Sequence, residues 1–311
     1  MVYDLIVVGG GLAGMTAALY ALRAGKHVLV IEKSGFGGQI THSPKVENYP
    51  GTLSMSGNEL ADKTLEQILA QGAEIELEEV EKIETAEDSP VKTVLTKEGS
   101  RFEAYTIVLA TGVKHRMLGL PGENELVGDG ISFCAVCDGD FYTGQTVCVA
   151  GGGNSALQEA ILLAEKCKEV IMLQDLPFFT GEQKLQDVLF SRENVRSYTQ
   201  VGVTGLKTNE NGFCGVEITH TDSPEKKTEV IPCDGLFVAI GLIPENDAFA
   251  GLAQLDERGY FDADERCLTG TPGVYVAGDC RSKNVRQLTT AVADGATAAI
   301  AACRYLNEMQ A

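Results

Sequence analysis

The chain is expected to be an α/β protein of two doubly wound domains, the second inserted in the first. Two glycine-rich turns of one pattern predict this, together with the equal spacing that follows them. Gly9-Gly10-Gly11-Leu12-Ala13-Gly14 comes after the apolar run Tyr3 to Gly9 and before an alanine-rich segment reaching about Ala24. Gly151-Gly152-Gly153-Asn154-Ser155-Ala156 comes after Thr146 to Ala150 and before a segment from Leu157 to about Lys166. From the first glycine to the end of the next apolar run is 23 residues in both copies, Gly9 to Glu32 and Gly151 to Gln174. Two βαβ units of this kind call for two sheets, each with helices on its faces, so both domains are expected to be Rossmann-like and three-layered.

The other elements follow in order. Tyr3 to Gly9 (YDLIVVG) reads as a buried parallel strand and His27 to Glu32 as its neighbour. Glu74 to Glu84 (EIELEEVEKIE) alternates enough to be one half-exposed strand with solvated carboxylates. Val108-Leu109-Ala110-Thr111-Gly112 reads as a strand ending against a ligand, and Phe237 to Gly241 (FVAIG) repeats that character. Gly273 to Asp279 (GVYVAGD) is a further strand with a terminal acid, followed by a helix from about Leu288 to Leu306. Residues 1–115 and 244–311 then form the first domain and 116–243 the inserted one, with Glu123 and Glu125 in a polar connection between them.

A chain of 311 residues can build two cores of ordinary size. The hydrophobic fraction is 44% and the mean hydropathy is zero, and no apolar run reaches the eighteen residues of a membrane span. The first strand begins at Tyr3, which leaves no room for a signal peptide, so a cytoplasmic location is expected. A formal charge of −19 argues against nucleic acid and against anionic membrane surfaces. In a reducing compartment nine cysteines are not a disulfide framework, and seven of them stand alone as small buried apolar residues. Only Cys134 and Cys137 are close in sequence. The histidines at 27, 42, 115 and 220 are scattered, so zinc is not expected.

The first glycine motif has a defined chemistry. Gly9 permits a tight turn, Gly11 lets the backbone approach a pyrophosphate at the helix start, and Gly14 lets helix and strand pack closely. Glu32, 21 residues after Gly11, stands where a carboxylate accepts from both ribose hydroxyls. Cys134-Ala135-Val136-Cys137 is a C-x-x-C at a helix start, where a thiol pKa falls and two sulfurs come within bonding range. Asp138 is positioned to exchange a proton with a departing thiolate. The competing reading is two buried, unconnected thiols.

The run Cys134 to Gly139 (CAVCDG), the Gly9 fingerprint, Gly37-Gly38-Gln39 and Val46 to Gly51 (VENYPG) resemble the low-molecular-weight thioredoxin reductases. Ala110-Thr111-Gly112, Gly278-Asp279 and Arg286-Gln287 match that family too, and the likeness runs in order over nearly the whole chain. It implies a homodimer with FAD in the first domain and a nucleotide-type second domain carrying the cysteine pair. The FAD residues it implies are Gly9, Gly11, Leu12, Ala13, Gly14, Glu32, Lys33, Gly38, Gln39, Asn48, Val80, Ala110, Thr111, Gly112, Gly278, Asp279, Arg286, Gln287 and Leu288. Among these Asp279 would bind the ribityl chain, while Gln39, Asn48 and Arg286 to Leu288 would line the flavin. Cys137 would lie against the isoalloxazine and Cys134 would attack the thioredoxin disulfide.

The second fingerprint departs from that family. Gln174 stands where the first copy has Glu32, and Gln174 to Thr180 (QDLPFFT) replaces a His-Arg-Arg stretch that grips a 2′-phosphate. No arginine lies between Arg116 and Arg192, and Asp175 would repel a phosphate, so NADPH is not expected as donor. Three readings compete: NADH with Asp175 on its ribose, a second flavin nucleotide on the retained glycines, or a vestigial domain with electrons arriving by another route. The last resembles the ferredoxin-dependent flavin thioredoxin reductases and is preferred; a one-electron donor then acts twice per disulfide. Ferredoxins are usually acidic, so docking needs a local basic patch, for which Arg281, Lys283 and Arg286 are candidates. The alternatives are an NADH- or NADPH-dependent thioredoxin reductase with an atypical nucleotide site and a flavin redox sensor that does not turn over.

Overall fold

The computed structural model describes residues 1–43, 45–86, 88–222 and 227–309. These divide into two compact units, one of Met1–Lys114 with Ile243–Ala311 and the other of His115–Leu242.

In the first unit a parallel sheet runs Glu74–Leu77, Val28–Glu32, Val2–Val8, Arg101–Leu109, Val274–Val276. The long strand Arg101–Leu109 pairs with Val2–Val8 on one edge and serves two neighbours on the other. Its first half pairs antiparallel with Ser89–Thr96, which pairs in turn with Val80–Ala86, and its last residues pair with Val274–Val276. Leu5, Ile6, Val7, Val28 and Ile107 are buried, which is why these strands read as continuous apolar runs and not as alternating ones. Each such side chain contributes roughly 1.5–3 kcal/mol on burial.

Helix Leu12–Arg23 follows the first strand and packs on the last helix, Leu288–Met309. Their close approach has a cause in the sequence: a Cβ on Gly295 would sit 2.2 Å from the Ala13 carbonyl oxygen. Gly14 is equally tight, since its Cβ would meet the Gly9 carbonyl at 1.9 Å. Gly9 itself has φ +110° and leaves room for the Ala110 carbonyl. One expectation is corrected here. Glu74 to Glu84 is two strands, Glu74–Leu77 and Val80–Ala86, in separate parts of the sheet. Alternation cannot detect the corner at Glu78-Glu79, where the Glu78 carboxylate accepts from Thr96 and Ser100.

The second unit repeats the plan. Its parallel sheet runs Val195–Tyr198, Glu169–Leu173, Thr146–Ala150, Gly235–Val238, Ile131–Ser132, beside an antiparallel set of Val201–Asn209, Gly212–His220 and Thr228–Pro232. Gly151 has φ +128° and approaches the Ala239 carbonyl as Gly9 approaches that of Ala110. Helix Asn154–Ala164 packs on the short helix Ala135–Asp138. Glu123 also departs from expectation. It is 2% exposed, and its carboxylate accepts from the N–H groups of Leu118, Gly119 and Leu120, so it holds the backbone of this unit together.

Candidate active site

In the first unit the glycine turn lies at the carboxyl ends of the parallel strands. The chain runs from the first strand to Val28–Glu32 on one side and to Arg101–Leu109 on the other, so a cleft opens between them. The residues named from the sequence gather along this rim. Gly11 forms a bridge with Gly37, and a Cβ on Gly38 would lie 3.5 Å from the Gly11 Cα, which places Gln39 beside the turn. The Asn48 amide donates to Gln287 Oε1 at 3.3 Å, just before Leu288 opens the last helix. The Thr111 hydroxyl donates to Asn246, and Gly112 takes φ +68°. A Cβ on Gly278 would meet Ala13 at 2.8 Å, so the Asp279 turn abuts the helix start. Lys33 pairs with Glu245, and Val80 begins its strand next to Glu79, whose carboxylate feels the Lys33 charge.

Three observations fit a dinucleotide here. Helix Leu12–Arg23 starts at Gly11 with no side-chain cap on its first N–H groups, and only the Gly37 carbonyl, at 3.9 Å, approaches where a Gly11 Cβ would be. Asp279 has a buried Oδ1 with no hydrogen-bond partner, Lys283 Nζ standing 3.9 Å away, and burial pushes its carboxyl above the usual range. A ribityl hydroxyl is the kind of donor that oxygen lacks. Arg286 lies 4.2 Å over the Tyr260 ring and donates to the Asp279 and Arg281 carbonyls, which fixes the segment leading to the last helix. Glu32 is less free than its position suggests: Oε2 accepts from Gly10 N–H at 2.6 Å and Oε1 from Ser34 N–H at 3.0 Å. A ribose would use the carboxylate's remaining lone pairs.

The basic patch expected near this rim does not exist as such. Arg281 is 3% exposed and grips Asp294 through Nε and Nη2 at 2.9 and 2.8 Å. Lys283 donates to the same carboxylate at 2.9 Å, with its side chain 4% exposed. Both cations share this buried acid as their nearest partner, with Glu265 3.4 Å from Arg281 and Asp279 3.9 Å from Lys283. A count along the sequence misses this because Asp294 lies 13 residues from Arg281 and 11 from Lys283, inside the last helix.

In the second unit Cys134 and Cys137 form a disulfide with Cα atoms 5.3 Å apart. Cys134 is the residue preceding helix Ala135–Asp138, and the Cys137 N–H donates to its sulfur at 3.2 Å. That donor favours negative charge on Cys134 once the bond opens. Ser132 ties the site together: its Oγ accepts from the Cys134 N–H at 3.1 Å and donates to Asp138 Oδ2 at 2.6 Å. Burial raises the Asp138 carboxyl although Ser132 opposes the shift, and Oδ1 is buried without a partner. Val136, between the cysteines, is 55% exposed, so the pair faces the surface of its unit. Sequence reasoning missed Ser132 and also Glu159, whose carboxyl burial pushes up to about 8.

The second glycine turn is lined differently from the first. Gln174 is 3% exposed, its Nε2 donates to the Phe178 carbonyl at 3.0 Å, and its amide lies against Gly152. Where the first turn offers a carboxylate, this one offers a neutral amide turned into its own loop. Phe178 is 60% exposed and Phe179 packs on Phe190, so the lip is apolar. Arg192 is paired with Glu165. Among the described residues no cluster of His, Cys, Asp or Glu could hold a metal, and no helix is long and apolar enough to cross a membrane.

A doubled dinucleotide fold and a surface-facing disulfide backed by an acid define a disulfide oxidoreductase of the two-domain α/β class. The family model for pyridine nucleotide-disulphide oxidoreductase matches residues 3–295, and the chain belongs to that family. It is 38% identical over 310 residues to a thioredoxin reductase of Listeria monocytogenes, covering 99% of this chain and 95% of that one. A Bacillus subtilis thioredoxin reductase is 35% identical over 309 residues, covering 99% and 96%. The crystal structure of thioredoxin reductase from Streptococcus pyogenes superposes with a TM-score of 0.92 at 36% identity, covering 99% of both chains.

Proposed function

We propose that this protein reduces thioredoxin through a bound FAD and the Cys134/Cys137 dithiol, as a cytosolic homodimer, with ferredoxin supplying the electrons. The observation that carries the reading is the Cys134–Cys137 disulfide, backed by Ser132 and Asp138 and with a backbone donor on Cys134 Sγ. FAD, when bound, stores the two electrons that pass between donor and disulfide. Gly11 with its uncapped helix start, the Asp279 carboxyl and the Asn48–Gln287 pair are the groups that would hold it.

The protein's own steps follow from the site. The Cys134 thiolate attacks one sulfur of the thioredoxin disulfide, forming a mixed disulfide and releasing one thioredoxin thiolate. Asp138 supplies the proton that this leaving group takes. Cys137 then attacks Cys134 Sγ, which closes the intramolecular disulfide and releases the second thioredoxin thiol.

The choice of donor rests on Gln174 and its loop: a neutral amide stands where the first turn has Glu32, the one carboxylate, Asp175, comes a position later, and no guanidinium group is present for a 2′-phosphate. A pyridine nucleotide remains the second reading, favoured by the retained glycine turn at Gly151 and by the commitment of Arg281 and Lys283 to Asp294. Anaerobic mixing separates the two. The flavin absorbance of the oxidised protein is expected to bleach on adding reduced ferredoxin and to persist in NADPH or NADH; rapid bleaching by micromolar NADPH would sink the ferredoxin reading.

A further inference from the structure

Ser132 ends the short strand Ile131–Ser132, whose register against Gly235–Val238 sets it opposite Phe237. It is 4% exposed, so its hydroxyl must find partners inside the protein. The oxygen accepts from the Cys134 N–H at 3.1 Å, and the hydroxyl proton goes to Asp138 Oδ2 at 2.6 Å. The first bond is local: a serine commonly makes it with the backbone two residues on, and it needs no function to explain it. The second is not local. It spans the redox pair, from the strand before Cys134 to the residue after Cys137, and it selects one of two carboxyl oxygens.

A hydroxyl has one proton to give. Among the described residues the Ser132 proton has no other acceptor, so Oδ2 is held as an acceptor. A neutral Asp138 then carries its own proton on Oδ1, which is buried and has no hydrogen-bond partner. Burial favours the neutral acid, while the Ser132 bond favours the carboxylate that remains once the proton has left. Ser132 therefore does two things to Asp138: it fixes which oxygen bears the proton, and it stabilises the anion. Packing asks for neither, since a small apolar side chain would suit a closed strand position as well.

We propose that Ser132 is a positioning residue for proton delivery: by occupying Asp138 Oδ2 it leaves Oδ1 as the atom that protonates the thiolate leaving thioredoxin. This rests on the Cys134/Cys137 pair exchanging with thioredoxin, with Asp138 as its acid. Atoms and electrons balance. The Cys134 thiolate bonds to one thioredoxin sulfur, the thioredoxin S–S bond breaks, and that electron pair leaves with the other sulfur. The leaving sulfur takes the Oδ1 proton, and the carboxylate left behind keeps the Ser132 bond. When Cys137 closes the disulfide, its own proton goes with the second thioredoxin sulfur.

The test is a single turnover that does not depend on the physiological donor. Full-length, flavin-loaded protein is reduced with dithionite, desalted anaerobically and mixed with thioredoxin disulfide, and the rate of thioredoxin reduction is followed. Asp138→Asn is expected to slow that rate about a hundredfold or more. Ser132→Ala should slow it about tenfold, the weaker end of what a hydrogen bond to a charged group supplies. Ser132→Thr, which restores the hydroxyl, should recover most of the loss, and Ser132→Val, its shape without the hydroxyl, should not. In the Asp138→Asn background Ser132→Ala should cost nothing further, because its effect passes through Asp138. Circular dichroism checks that each variant is folded; if Ser132→Ala is not, the contrast between threonine and valine decides. An equal cost of Ser132→Ala in both backgrounds, or equal rates for Ser132→Thr and Ser132→Val, would overturn the proposal. If reduced wild type passes no electrons to thioredoxin, the reading beneath it fails instead.

Discussion

Cys134→Ser is expected to abolish thioredoxin reduction, with residual turnover at the level of the uncatalysed exchange, while the flavin stays bound. The magnitude follows from the chemistry: a hydroxyl does not ionise near neutral pH, so the attacking anion is lost outright. Flavin retention follows from the fold, because Gly11, Asp279 and the Asn48–Gln287 pair all belong to the other compact unit. The measurement is a thioredoxin turnover assay alongside the flavin spectrum of the purified variant. Loss of flavin would show that the pair is structural. Cys137→Ser should differ in kind. Cys134 keeps its backbone donor in that variant and still attacks thioredoxin, but the mixed disulfide has no resolving thiol and should accumulate as a covalent complex on a non-reducing gel.

The largest stability effect is expected at Asp294. Its carboxylate is 5% exposed and takes hydrogen bonds from the Gly278 N–H at 3.1 Å, from Arg281 and from Lys283. Asp294→Asn takes the nearest counter-charge from two buried cations, leaving only the longer contacts to Glu265 and Asp279, a loss of about 3–5 kcal/mol for breaking a buried pair. Urea unfolding of wild type and variant, compared at constant slope, measures it. The pH dependence has a definite sign. Burial pushes the Asp294 carboxyl up, but the hydrogen bonds and charges of Arg281 and Lys283 outweigh it and leave the folded pKa below the usual value. A depressed folded pKa means the stabilisation is complete above the unfolded carboxylate pKa. It is lost as pH falls through the folded value, so the variant's deficit should shrink only in strong acid.

The glycine turns were legible because they are backbone constraints. A left-handed φ at Gly9 and a carbonyl 2.3 Å from where its Cβ would be admit no other residue, and the sequence records that directly. The same holds for Gly151. Cys134 and Cys137 were legible from their spacing, which brings two sulfurs together across one helical turn. Partners distant in sequence were not. Arg281 and Lys283 read as surface charge because Asp294 meets them only in the folded chain. Glu32 read as a free ribose ligand because the Gly10 and Ser34 N–H groups that occupy it become donors only once the turn forms. Glu159 left one trace: it falls between Ala156 and Leu163 at i+3 and i+4 spacing, on the stripe of its helix that carries Ala156, Ala160 and Leu163 into the core. An acid on a buried stripe is a signal that periodicity can find.

The sequence shows Gln174 where the first turn has Glu32, but not the way the amide folds onto Gly152 and the Phe178 carbonyl. That fold matters to the central claim, which is that a disulfide reductase of this family draws its electrons from somewhere other than NADPH. Steady-state anaerobic reduction of thioredoxin disulfide by the purified protein tests it most directly, with reduced ferredoxin, NADPH and NADH supplied in parallel as donors. Turnover with reduced ferredoxin and none above background with either nucleotide is the predicted result. Turnover with micromolar NADPH would contradict it.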